Sequence, residues 1–231
     1  MKTAKKYNPD LILHGNLIRA ILSLAIPVVI NSFLQTMYNL TDTYWLGKIG
    51  TEQLAAINLV TPMQNIITNF GSGITVAGAV LIAQYIGAGE KEQAKRYSKK
   101  LLGLAYGGMC LTDITLLILV RPLVGCFSLS GEAFTITVQL LRTFSICAML
   151  IWPLSFALPN VLRAAGDAKY TMEVSVFSMW VFRVASSYFF AGTLKMGVLG
   201  VWIGMYVDWV FRSLLFVIRY KRGKWLNKRV V

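Results

Sequence analysis

Asn31, Gln35, Tyr38, Asn39 and Asp42 fall at i, i+4, i+7, i+8 and i+11 along an otherwise apolar stretch. That spacing places all five on one face of an α-helix. Asp42 is the residue with chemistry to offer. It lies about five residues from one end of the stretch, roughly 7 Å deep at the helical rise. A carboxylate held there is a candidate site for a proton or Na⁺; the alternative is a carboxylate that reaches outer water. Asn58, Thr61, Asn65, Thr68, Ser72 and Thr75 form a second polar stripe at steps of three or four on the next apolar run. Two such stripes imply either a wet cavity, lined by Asn31, Asn58, Thr61, Asn65 and Thr68, or a polar seam between helices.

Three more ionisable residues fall inside apolar runs. Asp208 and Arg212 are spaced i, i+4 and can pair on one helix face. Arg183 is central in its run and needs an anion, with Asp208, Asp113 and Asp42 as candidates. Arg142 sits near a run's end, where its long stem can carry the charge to the interface. The single His14 lies ahead of the first run and joins no constellation. The sequence holds no nucleophile motif, no phosphate-binding loop and no metal-spaced cluster, which speaks against an enzyme or a nucleotide-driven pump. The three cysteines, Cys110, Cys126 and Cys147, form no disulfide or metal pattern.

The elements that must position these residues are membrane spans. The chain has 231 residues, 56% of them hydrophobic and 14% charged. A soluble domain carries about 25% charge, and a bilayer-spanning helix needs roughly 20 apolar residues. Six runs meet that length, at about 18–46, 53–82, 101–120, 138–162, 171–191 and 198–218. They fill residues 1–231 as a single six-helix membrane lobe. Gly71, Gly73, Gly78 and Ala79 in the second run allow close helix approach. Pro27, Pro153 and Pro159 are candidate bend points. Residues 85–100 read as a loop with a charged amphipathic stretch.

A net charge of +13 could signal a nucleic-acid binder, but its placement does not. Of the 23 Lys and Arg, Lys2, Lys5, Lys6 and Arg19 lie ahead of or at the start of the first run, five lie between Lys91 and Lys100, and seven lie from Arg212 onward. Arg163 and Lys169 flank another turn on the same side. Lys48, Arg121 and Lys195 fall on the opposite side. This bias makes the basic side cytoplasmic, and an even number of spans puts both termini there. The partner implied is the lipid bilayer, with no nucleic acid.

The segments "LQTMYNLTDTYWLGKIGTEQLAAINLVTP" (34–62) and "AQYIGAGEKEQAKR" (83–96), with Pro27 ahead of them and "LRAAGDAKYTM" (162–172) after, resemble the multidrug and toxic compound extrusion (MATE) transporters. The resemblance covers nearly the whole chain. It implies an all-α integral membrane fold, one six-helix lobe of a family that typically has two. The early segments resemble the first lobe, and "GVLGVWIGMYVDWVFR" (197–212) resembles the end of the second. The resemblance carries over Asp42 as the ion-coupling or substrate residue, with Asn39, Gln35 and Tyr38 beside it. Two family positions on the fifth helix, usually Asn and Asp, are occupied here by Arg183 and Ser187.

The expectation is therefore a secondary transporter of the plasma membrane, bacterial in type. It would be an H⁺- or Na⁺-coupled antiporter that exports organic cations, with no cofactor beyond the coupling ion. A single lobe cannot enclose a cleft between lobes, so two copies would act as a parallel homodimer, since the charge bias inserts every copy the same way. One alternative is a carrier like the lipid-linked oligosaccharide flippases. Another is a shortened, non-transporting accessory subunit.

Overall fold

The computed structural model describes residues 50–129 and 131–227, together with Ile18, Leu22, Ile26, Val29, Phe33, Thr36, Met37 and Leu40. The chain divides into two compact units, Met1–Lys48 with Val231, and Ile49–Val230. In the first unit the described residues are helical. Ile18, Leu22, Ile26, Val29, Phe33, Met37 and Leu40 are exposed.

The second unit is built from five helices long and apolar enough to cross a membrane. They are α1 (Thr51–Gly87), α2 (Lys91–Gly125), α3 (Gly131–Ala164), α4 (Ala168–Thr193) and α5 (Gly197–Lys221). Only helices and closed barrels satisfy their own backbone groups in hydrocarbon, and the sequence supplies the first solution. Large apolar side chains such as Ile66, Leu111, Ile118, Leu150 and Leu214 point outward and are exposed. In water such a surface would be a liability; in a bilayer it is the solvated face.

The five helices match the second to sixth apolar runs, but they extend beyond them. Residues 85–100 are not a loop. α1 runs on to Gly87, and the turn is confined to residues 88–90, where Gly89 takes a φ of 80° that L side chains rarely adopt. α2 then begins at Lys91, ten residues before the predicted start at Leu101. The charged stretch is helical because its apolar positions keep the period. Ala94, Ser98 and Leu101 are buried at steps of four and three, and Lys95, Arg96, Lys99 and Lys100 face out. In the same way α3 begins at Gly131, not at Val138, because Ala133 and Thr137 continue its buried row.

Pro153 and Pro159 do not break α3. The helix widens into a π turn over Pro153–Ala157 and resumes at Leu158. A proline removes one helical hydrogen bond and crowds the preceding turn, and a wider turn relieves both. α4 carries two such turns, Met179–Arg183 and Tyr188–Thr193.

Two packed regions hold the unit. At the basic end, Ile82, Leu101, Leu158, Val161, Leu162, Phe216 and Trp225 form one buried cluster from α1, α2, α3, α5 and the short helix that follows. Tyr85 stacks on Tyr97 across the α1–α2 turn at 4.8 Å. Further along the bundle, Phe144 of α3 meets Trp202 and Trp209 of α5 edge-on at 6.4 and 6.2 Å. Edge-to-face rings of this kind add roughly 0.5–1.5 kcal/mol per pair beyond area burial. α5 meets α4 through Gly200 and Gly204, four residues apart. A Cβ on Gly200 would lie 2.6 Å from the Ala191 nitrogen, so the two backbones touch where no side chain fits.

Candidate functional site

α3, α4 and α5 converge on one ionic group. The buried row of α5 runs through Trp202, Tyr206, Trp209, Ser213 and Phe216, with Asp208 inside it at 0% exposure. A bare carboxylate in that row would be strongly unfavourable. Arg212, one turn on, answers it: its Nη2 lies 2.9 Å from Asp208 Oδ2. From α4, the Ser178 hydroxyl donates to Asp208 Oδ1 and also approaches the Asp208 carbonyl at 3.3 Å. From α3, the Phe156 ring lies under the Arg212 guanidinium at 4.9 Å, a cation–π contact that offsets part of the desolvation. Arg163 of α3 and Arg183 of α4 lie within electrostatic range of Arg212.

The π turns frame this group. Phe156 lies in the π turn of α3, and Arg183 ends the first π turn of α4, which begins just after Ser178. Inserted turns of this type recur at functional sites because they re-aim side chains without ending the helix.

Asp113 does not join this group. It sits on α2 in a buried row at steps of three and four, Leu101, Ala105, Met109, Asp113, Leu116 and Val120. Its side chain is 0% exposed, and its polar neighbour is the Ser145 hydroxyl of α3. Neither carboxylate oxygen of Asp113 nor Ser145 Oγ completes a hydrogen bond among the described residues.

The second polar stripe splits in two. Asn58, Thr61 and Asn65 are exposed on α1, and Thr68 is half-buried. Thr61 and Thr68 donate to carbonyls of their own helix, Ile57 and Gln64, at 2.9 and 3.0 Å. Thr75, further along, is buried in a seam where Asn160 Nδ2 of α3 donates to its hydroxyl at 3.0 Å. So this stripe is open over its first half and a helix–helix seam at its end. Asp42, Asn39, Gln35, Tyr38 and Asn31 lie outside the described residues. Arg142 is exposed on α3.

Sequence reasoning named Asp208, Arg212 and Arg183 but not Ser178 or Phe156. Ser178 was findable, because it continues the buried Thr171–Val174 spacing of α4. Phe156 was not, because the π turn shifts it relative to the α-helical period. Ser145 shares its row with Leu141 and Ala148, and nothing in its type marked it out. Among the described residues no cluster of His, Cys, Asp or Glu could hold a metal ion.

The MatE family model matches residues 27–189, more than half of the chain. An uncharacterized transporter, YisQ, of Bacillus subtilis is 28% identical over 94% of this chain and 47% of its own length. A probable multidrug resistance protein, NorM, of Thermotoga maritima is 23% identical over 92% of this chain and 46% of its own. A solved MATE structure in complex with MaD5 superposes with a TM-score of 0.78 at 29% identity, covering 91% of this chain and 48% of that one. A Pyrococcus furiosus transporter of the MOP superfamily superposes with a TM-score of 0.72 at 28% identity, covering 92% of this chain. The chain spans about half the length of the relatives it matches.

Proposed function

The chain belongs to the MatE family of transporters, and on that premise we propose that it is a cation-coupled antiporter that exports organic cations. It is a multi-pass membrane protein of a family of secondary transporters, not enzymes. The observation that carries the proposal is the open half of the α1 stripe. Asn58, Thr61 and Asn65 are exposed within a membrane span. Amide side chains facing lipid are costly; facing water or a second lobe, they are not. In this reading the stripe lines one wall of a cleft, and Asp42 is the group at which H⁺ or Na⁺ competes with substrate. Protonation or ion binding then biases inward- against outward-facing states. The second wall is another copy of the chain, inserted in parallel in the plasma membrane with the basic end cytoplasmic. Two relatives bear names that support the cargo, a multidrug export protein of Staphylococcus saprophyticus and a multidrug and toxin extrusion protein of rat.

The test is ion-gradient-driven transport of a fluorescent organic cation by the purified chain in proteoliposomes, beside Asp42→Asn. Transport by the wild type and its loss in the variant is the expected result. Absence of transport under both proton and Na⁺ gradients rejects the antiporter. Cross-linking in native membranes that yields monomers alone rejects the dimer.

A second reading has one specific observation behind it. Arg163 and Arg183 lie within electrostatic range of Arg212 in the Asp208–Arg212 pair, and an anionic cargo, such as a phosphate-bearing lipid headgroup, is the chemistry that three such cations would attract. The Pyrococcus furiosus transporter is itself described as having a binding pocket of reverse polarity. Inhibition of dye transport by anionic lipids but not by organic cations favours this reading over the first.

A further inference from the structure

We propose that Asp113 and Ser145 form a proton-binding site buried between α2 and α3. The site lies away from Asp42 in sequence and includes neither member of the Asp208–Arg212 pair. Asp113 occupies the middle of the one buried row of α2, with Met109 one turn before it and Leu116 one turn after, and it is fully sealed from the surface. Ser145 is equally sealed within the buried row of α3. Among the described residues, neither oxygen of the carboxylate nor the serine oxygen completes a hydrogen bond, and the Ser145 hydroxyl is the polar group nearest in effect to the carboxylate. Native interiors rarely leave such atoms bare, and each exception asks for a function or a missing binding partner.

A proton is the partner that fits. A full negative charge closed off from water without a countercharge is strongly unfavourable, and a proton on the carboxyl removes it. The neutral acid then has one O–H to donate and one carbonyl oxygen to accept, and Ser145 can take either role. A small rotation of either side chain completes the bond. A hard metal cation fits poorly, because such ions gather about six or more oxygens. Here two carboxylate oxygens and one hydroxyl are present, and the helix carbonyls nearby are engaged in helical hydrogen bonds.

The packing around the site explains how a proton would be held and released. One turn from Asp113, the Met109 sulfur packs at the surface of Gly71 on α1, where Trp152 of α3 also lies. A Cβ on Gly71 would come 2.9 Å from the Met109 sulfur and 2.8 Å from the Trp152 ring. Three helices thus pack tightly at a single glycine, one turn from Asp113. In this proposal, displacement of α1 from α2 and α3 loosens that packing and admits water, and a hydrated carboxyl can release its proton. Coupling of this release to substrate exchange rests on the antiporter reading; the protonation itself does not.

The experiment is infrared spectroscopy of the full chain in lipid nanodiscs at neutral pH. The expected result is a protonated-carboxyl C=O band that persists in Asp42→Asn and disappears in Asp113→Asn. Ser145→Ala, which removes only a hydroxyl, should move the band to higher frequency by deleting its hydrogen-bond partner. A wild type without the band, a band that survives Asp113→Asn, or a band unmoved by Ser145→Ala overturns the site. Loss of the band on adding Na⁺ at constant pH also overturns it, in favour of a metal cation. The coupling role is read separately, as proton release into weak buffer when tetraphenylphosphonium is added. Release from the wild type but not from Asp113→Asn is expected, and equal release from both overturns the coupling role. If tetraphenylphosphonium does not bind the wild type at all, it is the antiporter reading that fails, and the infrared result still judges the site.

Discussion

Arg219 grips Asp167 with two nitrogens, Nε on Oδ2 at 2.6 Å and Nη2 on Oδ1 at 3.3 Å. The contact ties the end of α5 to the turn between α3 and α4. Asp167 is buried, and the Arg219 side chain is 20% exposed. The Tyr170 ring lies 4.6 Å from the guanidinium, and the Tyr170 hydroxyl donates to the Leu215 carbonyl at 3.3 Å. This clamp should behave asymmetrically. Arg219→Ala takes two charge-assisted contacts from a buried carboxylate, and removing one partner of a buried pair costs about 3–5 kcal/mol. Asp167→Ala leaves an arginine that can turn to water, and should cost less, about 1–2 kcal/mol. Thermal unfolding of both single variants and the double variant in detergent checks this. Arg219→Ala should be the least stable single variant, and the double variant should recover part of its loss.

The α4–α5 contact predicts a sharp contrast between two glycines. A Cβ on Gly200 meets the backbone of Phe190 and Ala191 within 2.8 Å, and a Cβ on Gly73 meets nothing within 4 Å. Gly200→Ala must push α5 off α4 or distort the second π turn, so the folded yield on size-exclusion chromatography should fall. Gly73→Ala should be neutral or stabilise by up to about 1 kcal/mol, the gain in helix propensity. Equal yields from the two variants would remove the close-contact argument.

Asp208 and Arg212 invite a test of whether a buried ion pair is structural or functional. Asp208→Asn alone leaves Arg212 without its anion beside Arg163 and Arg183, and should destabilise by about 3 kcal/mol or more. The double variant Asp208→Leu, Arg212→Leu removes both charges and should be near neutral in stability, as replacement of buried pairs by apolar residues often is. If that folded double variant still transports, the pair is scaffolding. If it folds and does not transport, the pair acts in the cycle.

What was legible in the sequence was what a period can carry. The five described spans lie where apolar runs of the right length predict them, because hydrocarbon demands continuous helices. The Asp208–Arg212 pair follows from i, i+4 spacing on one face. What was not legible depends on departures from the period. The π turns over Pro153–Ala157 and Met179–Arg183 rotate everything after them, so Phe156 could not be placed beside Arg212 by counting. The early start of α2 at Lys91 was hidden by charge, since hydropathy marks where lipid begins and not where a helix begins. Asp113 and its polar neighbour Ser145 are 32 positions apart, and only the packing of α2 on α3 brings them near each other.

The open half of the α1 stripe makes the last prediction, and it separates a cleft from a lipid-facing surface. Asn58, Asn65 and Ile66 are all exposed on α1, Ile66 at 72%. Exposure alone does not say what covers them, because lipid and water both leave a side chain uncovered by protein. A single cysteine does say, because the reactive species is the thiolate, which needs water to form. In a background with Cys110, Cys126 and Cys147 replaced, a charged, membrane-impermeant maleimide should label Asn58→Cys and Asn65→Cys in intact membranes. Ile66→Cys, next to Asn65 in the chain but turned about a quarter of the way around the helix, should be labelled at least ~10-fold more slowly. Fast labelling at the two asparagine positions and slow labelling at Ile66 place water along the stripe and lipid beside it. Equally slow labelling at all three positions means that protein or lipid covers the stripe throughout, and the cleft loses its wall.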